Sequence, residues 1–240
     1  MIHFEHVTRC YGNRVAVDQL NLTVPPGELL ALLGHNGAGK TTSLKILVGL
    51  LRPSSGSVRV NGYEVATNPR EASKLVGYVP DQPYLYDKLS GREFLEFVGE
   101  MYGLSSSEVR EAVAREASRF HLTDFLDQLT ESYSHGMRQR TVFAAALIHQ
   151  PEVLVVDEPM VGLDPQSIRL VKDLFQDYVS QGKTVLMSTH TLSIAEEIAD
   201  QVALMKTGQL LFHGPIDQLY SVVPDAGTSL ESLYLAMMED

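Results

Sequence analysis

The 240-residue sequence predicts an α/β fold: a mixed sheet with flanking helices, an antiparallel β subdomain beside it, and an α-helical subdomain inserted into it. Three observations carry this reading. Leu29-Leu30-Ala31-Leu32-Leu33 and Val153-Leu154-Val155-Val156 are short, continuous apolar runs of the kind buried on both faces of a parallel sheet. Strand and helix patterns alternate on both sides of a central stretch. That stretch, from Ser90 to Gln150, reads as helix, with Glu93, Phe94, Phe97, Val98 and Met101 on a 3.6-residue stripe.

The elements follow in order. Residues 2–9, 14–24 and 56–66 have β-type patterning, with turn signals at Tyr11-Gly12-Asn13, Pro25-Pro26-Gly27 and Asn61-Gly62. The first apolar run predicts a strand at 29–33, followed by a glycine-rich loop and a helix over 40–51. Leu75 to Pro80 is a short strand closed by proline, and Ser105-Ser106-Ser107-Glu108 resembles a helix start. After the second apolar run come a helix near 165–181, a strand at 184–188 and a helix at 192–199. Strands near 202–206 and 209–213 then lead to a helical tail. The expected division is a domain over 1–215 and a C-terminal helical tail over 216–240. Within the domain, 1–83 and 151–215 form the core with the β subdomain, and 84–150 the helical subdomain.

Composition limits the function. Hydrophobic residues make up 44% and charged residues 20%, ordinary values for a soluble globular chain large enough to bury a substantial core. No stretch approaches the ~18 apolar residues that span a bilayer, so no direct membrane insertion is expected. The lone Cys10 excludes an intrachain disulfide and suits a reducing cytosol. With 30 acidic against 19 basic residues the net charge is −11, and no basic stripe is visible, which argues against nucleic acid as a partner. A phosphate-bearing ligand would have to be held by local groups in a pocket.

Such groups are present. Gly34-His35-Asn36-Gly37-Ala38-Gly39-Lys40-Thr41 matches G-x-x-x-x-G-K-[ST] at each fixed position, between a strand and a helix. Its glycines let backbone N–H groups turn inward around phosphate oxygens, with Lys40 reaching the β- and γ-phosphates and Thr41 ligating Mg²⁺. Asp157 and Glu158 stand at the end of the second apolar strand, where open α/β sheets place ligands. Asp157 suits Mg²⁺, and Glu158 suits polarising a water for attack on the γ-phosphate.

Further features come in a telling order: Gln82 after the 75–80 strand, Ser134-His135-Gly136-Met137-Arg138-Gln139 before a helix, Gly162-Leu163-Asp164, and Ser188-Thr189-His190. With these the chain resembles the ATP-binding cassette (ABC) ATPases over residues 1–215, and so a P-loop NTPase core is expected. The resemblance implies that residues 34–42, through Thr42, are the Walker A loop and 153–158 the Walker B strand. It further implies that Tyr11 stacks on adenine, that Gln82 acts in catalysis and on Mg²⁺, that Asp164 is the D-loop aspartate and that His190 is the switch histidine. Tyr133-Ser134-His135-Gly136-Met137 replaces the usual Leu-Ser-Gly-Gly-Gln signature, keeping the serine and one glycine that hold ATP on the opposite subunit. A head-to-tail dimer of ATPase subunits, homodimer or paralogue pair, with ATP and Mg²⁺ is therefore implied. For His135 two readings stand: a ring in solvent beside the partner's phosphate, or one that takes up a proton when the dimer closes.

A single cassette with a short helical insert favours a transporter subunit at the cytoplasmic face of the membrane, held by separate transmembrane permease subunits. The alternatives are a soluble non-transport ABC ATPase and a module that binds ATP without turnover. Aromatic Tyr84-Leu85-Tyr86 favours docking of a permease helix. Residues 85–95 and the tail 229–235 look like the ABC-2 group of exporters, with an importer as the runner-up.

Overall fold

The computed structural model describes residues 1–222 and 233–234. A four-stranded antiparallel sheet is formed by β1 (Ile2–Tyr11), β2 (Arg14–Val24), β4 (Ser55–Val60) and β5 (Tyr63–Glu64), in the order β2-β1-β4-β5. The central sheet has six strands. β3 (Leu29–Leu33), β6 (Val76–Val79), β7 (Val153–Asp157), β8 (Thr184–Thr189) and β9 (Gln201–Lys206) run parallel, and β10 (Gln209–Pro215) pairs antiparallel on β9. The order β10-β9-β3-β8-β7-β6 makes the sheet mixed, as expected.

Continuous apolar runs serve two cores at once, because successive side chains of a strand point to opposite faces. Leu30 and Leu32 of β3, Val153 and Val155 of β7 and Leu186 of β8 face the antiparallel sheet and α1 (Lys40–Leu47). Leu29, Ala31, Leu33, Leu154, Val156 and Met187 face the other way. There they meet α3 (Gly91–Met101), α4 (Ser106–Arg119), α5 (His135–Leu147) and α6 (Pro165–Ser180). α7 (Leu192–Ile198) and α8 (Ile216–Val222) follow.

Local chemistry explains most boundaries. Ser90 with Glu93, and Ser105 with Glu108, form reciprocal capping boxes that start α3 and α4. Asn61 and Gly62, at φ 46° and 87°, make the two-residue turn between β4 and β5, at the turn signal within the β-patterned stretch 56–66. Two expectations are corrected. The helix expected to reach residue 51 ends at Leu47, because Gly49 at φ 78° breaks the helical path. A short helix, α2 (Pro69–Lys74), was not expected; Asn68 and Pro69 begin it, but it buries only Ala72 and so shows no apolar period. Most of the tail expected over 216–240, including most of 229–235, lies outside the described residues.

One buried titratable group gives the fold a pH dependence. His149 stacks on Tyr102 with ring centroids 3.6 Å apart and planes 6° from parallel, and burial pushes its imidazole from 6.5 down to about 4. Between those values the unfolded chain carries a proton at this residue that the folded chain does not. Stability therefore falls as pH falls through that window, by at most about 1.4 kcal/mol per unit. His149→Phe keeps a stacked ring and removes the proton. Urea midpoints measured from about pH 7 down to pH 5 should decline less steeply for the variant; parallel declines would contradict this role.

Candidate active site

β3 ends in the loop from Gly34 to Gly39, and α1 begins at Lys40. Gly39 takes φ 110°, and a Cβ there would lie 2.6 Å from the Ala16 carbonyl oxygen, so the loop packs against β2 as only glycine permits. Lys40 is buried. Its Nζ donates to the Gly34 carbonyl at 2.6 Å and lies 3.4 Å from Glu158 Oε1.

Strand pairing assembles the acidic half. Asp157 ends β7 and lies opposite Ser188 in the parallel ladder with β8. Ser188 Oγ donates to Asp157 Oδ1 at 2.5 Å, and Thr41 Oγ1 donates to the same oxygen at 3.2 Å. Burial raises the Asp157 pKa, opposed by these two hydrogen bonds. Asp157 Oδ2 is buried with no hydrogen-bond donor among the described residues. A buried carboxylate oxygen without a donor, beside a hydroxyl, is a hard oxygen set that fits Mg²⁺. No group of three or more His, Cys, Asp and Glu able to hold a metal occurs among the described residues, so the protein offers part of a coordination shell that phosphate and water would complete.

Glu158 adopts the left-handed region at φ 50°, a conformation that costs on the order of 1–3 kcal/mol in a non-glycine residue. Its N–H is held by the Ser188 carbonyl and Ser188 Oγ, both at 3.1 Å. The turn aims its carboxylate into the site, where the side chain is 12% exposed. Oε1 faces Lys40, while Oε2 accepts from His190 Nδ1 at 2.9 Å and from the His190 N–H at 3.3 Å. Glu158 thus stands between a fixed cation and a half-exposed imidazole.

These groups line a cleft of about 510 Å³. Of the expected residues, Tyr11, His35, Asn36, Gly37 and Gly39 lie on its wall, with Lys40, Thr41, Thr42, Glu158 and His190. Gly34 and Ala38 are buried within the loop, and Asp157 lies behind Thr41. The Arg9 guanidinium lies 4.7 Å from the centre of the Tyr11 ring.

Four further expected residues do not line the cleft. Gln82 is exposed, and its neighbour Asp81 takes the wall position. Ser134 caps α5 through the Met137 N–H, and Gly136 follows in its first turn. Asp164 caps α6, accepting from the Gln166 and Ser167 N–H groups at 2.9 and 3.0 Å and from Ser167 Oγ at 2.7 Å; these bonds hold its carboxyl below the usual range. Arg14, Ala16, Asp81 and Val161 were missed. Arg14 was within reach of sequence reasoning: it is Tyr11's cross-strand partner over the turn at Gly12-Asn13.

A glycine-rich phosphate loop and two carboxylates ending a parallel strand define a P-loop ATPase cassette. Residues 17–161 match the ABC transporter family model, and the chain belongs to that family. It is 34% identical to the ABC transporter ATP-binding protein NatA of Bacillus subtilis, over 85% of this chain and 84% of that one. It is 36% identical to the Nod factor export ATP-binding protein I of Cupriavidus metallidurans, over 97% and 79% respectively. Among solved structures, an ATP-binding subunit of an ABC transporter superposes with TM-score 0.93 at 29% identity, covering all of both chains. The ATP-binding cassette MJ0796, solved as a dimer in a post-hydrolysis state with ADP and Pi, gives TM-score 0.82 at 25% identity, over 90% of this chain and 99% of that one. The chain is an ATPase of this family.

Proposed function

We propose that this chain powers export through separate transmembrane permease subunits at the cytoplasmic face of the membrane, by ATP-driven head-to-tail dimerisation. Domain 1–215 would be the engine, with 84–150 as its helical subdomain. Similarity to a Nod factor export ATPase supports the direction. Among the described residues no helix is long and apolar enough to cross a membrane, which fits an engine that borrows its membrane passage.

Within the site, the chain's own groups divide the work. Phosphates entering the loop would meet the N–H groups around Gly37 and Gly39 and draw Lys40 away from Glu158 Oε1. Glu158 then remains bonded to His190, which aims its carboxylate at the attacking water and stabilises it as general base. Thr41 and Asp157 would hold Mg²⁺, whose charge would offset that of the phosphates; Gln82 keeps its assigned part on the family resemblance alone. The same chain's Ser134, Gly136 and Asp164 lie off the cleft, so they are offered to a second copy's ATP. Two bodies of −11 repel, and the bound nucleotide has to supply the attraction.

The observation that carries the transporter reading is an apolar groove of about 340 Å³ beside the helical insert. Tyr84 (72% exposed) and Leu50 (62% exposed) flank it, with Tyr78, Phe94, Val98 and Tyr102 as its walls. Exposed aromatic and aliphatic side chains around a concavity are what a docking helix buries. The paired substitution Leu50→Asp, Tyr84→Asp should abolish retention of the chain on membranes carrying its permease and leave ATP binding intact. Undiminished retention would remove this groove as the dock.

A further inference from the structure

His135 opens α5; the residue is exposed, and one edge of its ring touches the backbone of the segment after Glu158. Nε2 lies 3.4 Å from the Val161 carbonyl oxygen. A Cβ built on Gly162 would stand 3.1 Å from that nitrogen and 3.2 Å from Cδ2, so the imidazole rests on bare backbone. Gly162 takes φ 73°, and both its turn and its closeness to the ring favour glycine.

The segment touched is the one that follows Glu158. It carries Val161 to the cleft wall and ends at Asp164, the cap of α6. Its internal hydrogen bonds, Val161 N–H to the Glu158 carbonyl and Leu163 N–H to the Met160 carbonyl, are both 3.4 Å, the same length as the contact to His135. Neighbours packed on the segment therefore share in setting its position with bonds of equal length inside it, and Glu158 at its head holds a costly backbone conformation. His135 is such a neighbour.

We propose that His135 is a positioning residue for ATP hydrolysis: it ties the first turn of α5 to the segment after Glu158 and so fixes where the Glu158 carboxylate points. The Val161 carbonyl can only accept, so Nε2 carries the hydrogen, and that donor is present in both the neutral and the protonated ring. The role is therefore insensitive to pH, unlike that of a ring titrating against a phosphate. The proposal rests on Glu158 being the base of the ATPase reaction.

Steady-state ATPase kinetics of wild type, His135→Ala and His135→Gln test it, with thermal unfolding to show that each variant is folded. His135→Ala should lower kcat roughly tenfold through misplacement of the base, with KM for ATP changed by less than about twofold. His135→Gln, whose amide can donate to the same carbonyl, should recover kcat to within about threefold of wild type. Wild type and His135→Gln should also give superimposable pH profiles between about pH 6 and 8. A wild-type kcat in the alanine variant, a glutamine variant as slow as alanine, or profiles that diverge below about pH 7 would each overturn the brace. If Glu158→Gln left turnover intact, the base assignment would fall and the brace with it, which separates the two failures.

Discussion

Glu158→Gln is expected to lower ATP turnover by ~10²–10⁴-fold while ATP still binds. The substitution is nearly isosteric and keeps the left-handed backbone at φ 50° supported by Ser188, so the loop retains its shape. What changes is charge. An amide cannot accept the proton of the attacking water, and it no longer draws Lys40 across the cleft at 3.4 Å. The loss should therefore fall on kcat, with KM for ATP unchanged or lower, the pattern of an interaction made in the transition state. Near wild-type turnover would show that another group is the base.

Gly39→Ala should be almost as damaging by a different route. Alanine at φ 110° is strained in any surroundings, and here its Cβ would lie 2.6 Å from the Ala16 carbonyl oxygen and 3.1 Å from Met205 Cε. Backbone has to move, and the next residue is Lys40. Stability should fall by about 1–3 kcal/mol, and ATP affinity by roughly a hundredfold, the scale of a 1 Å misplacement. Gly182→Ala provides the control: its φ is 77°, with nothing within 4 Å of the added Cβ among the described residues. It should share the conformational cost and spare ATP binding. Denaturant unfolding with nucleotide titration measures both, and wild-type affinity in Gly39→Ala would show that the close approach to β2 is dispensable.

The parts of the molecule legible in the sequence are those set by short-range patterns. Residues 29–33 and 153–156 declare buried parallel strands because no polar residue interrupts either apolar run. Ser105 with Glu108 announces a helix start, and Asn61-Gly62 a tight turn. The phosphate loop is legible for the same reason: its spacing is local and its glycines are obligatory. What was not legible depends on register between distant segments. Nothing in Asp157-Glu158-Pro159 indicates a left-handed glutamate; that follows from the pairing of β7 with β8, which sets Ser188 beside it. Asp81 rather than Gln82 faces the cleft because of how the chain leaves β6, and neighbouring residues cannot be ranked by type alone. The contact of His135 with Val161 joins residues 26 apart across two elements, beyond the reach of any periodicity. Within one chain Ser134 and Asp164 cap α5 and α6, and with Gly136 they stand off the cleft, as the proposed sharing of the site between two copies requires.

The proposed function requires that one chain hold half of each catalytic site. Sedimentation equilibrium of the Glu158→Gln variant with and without Mg-ATP tests it most directly. A single chain of 26.5 kDa is expected without nucleotide and twice that mass with it. Because the two chains repel at −11 each, the dimer should strengthen as salt rises towards ~0.15 M, where the screening length is ~8 Å. A mass that stays at 26.5 kDa with saturating Mg-ATP across the salt series would contradict the shared site.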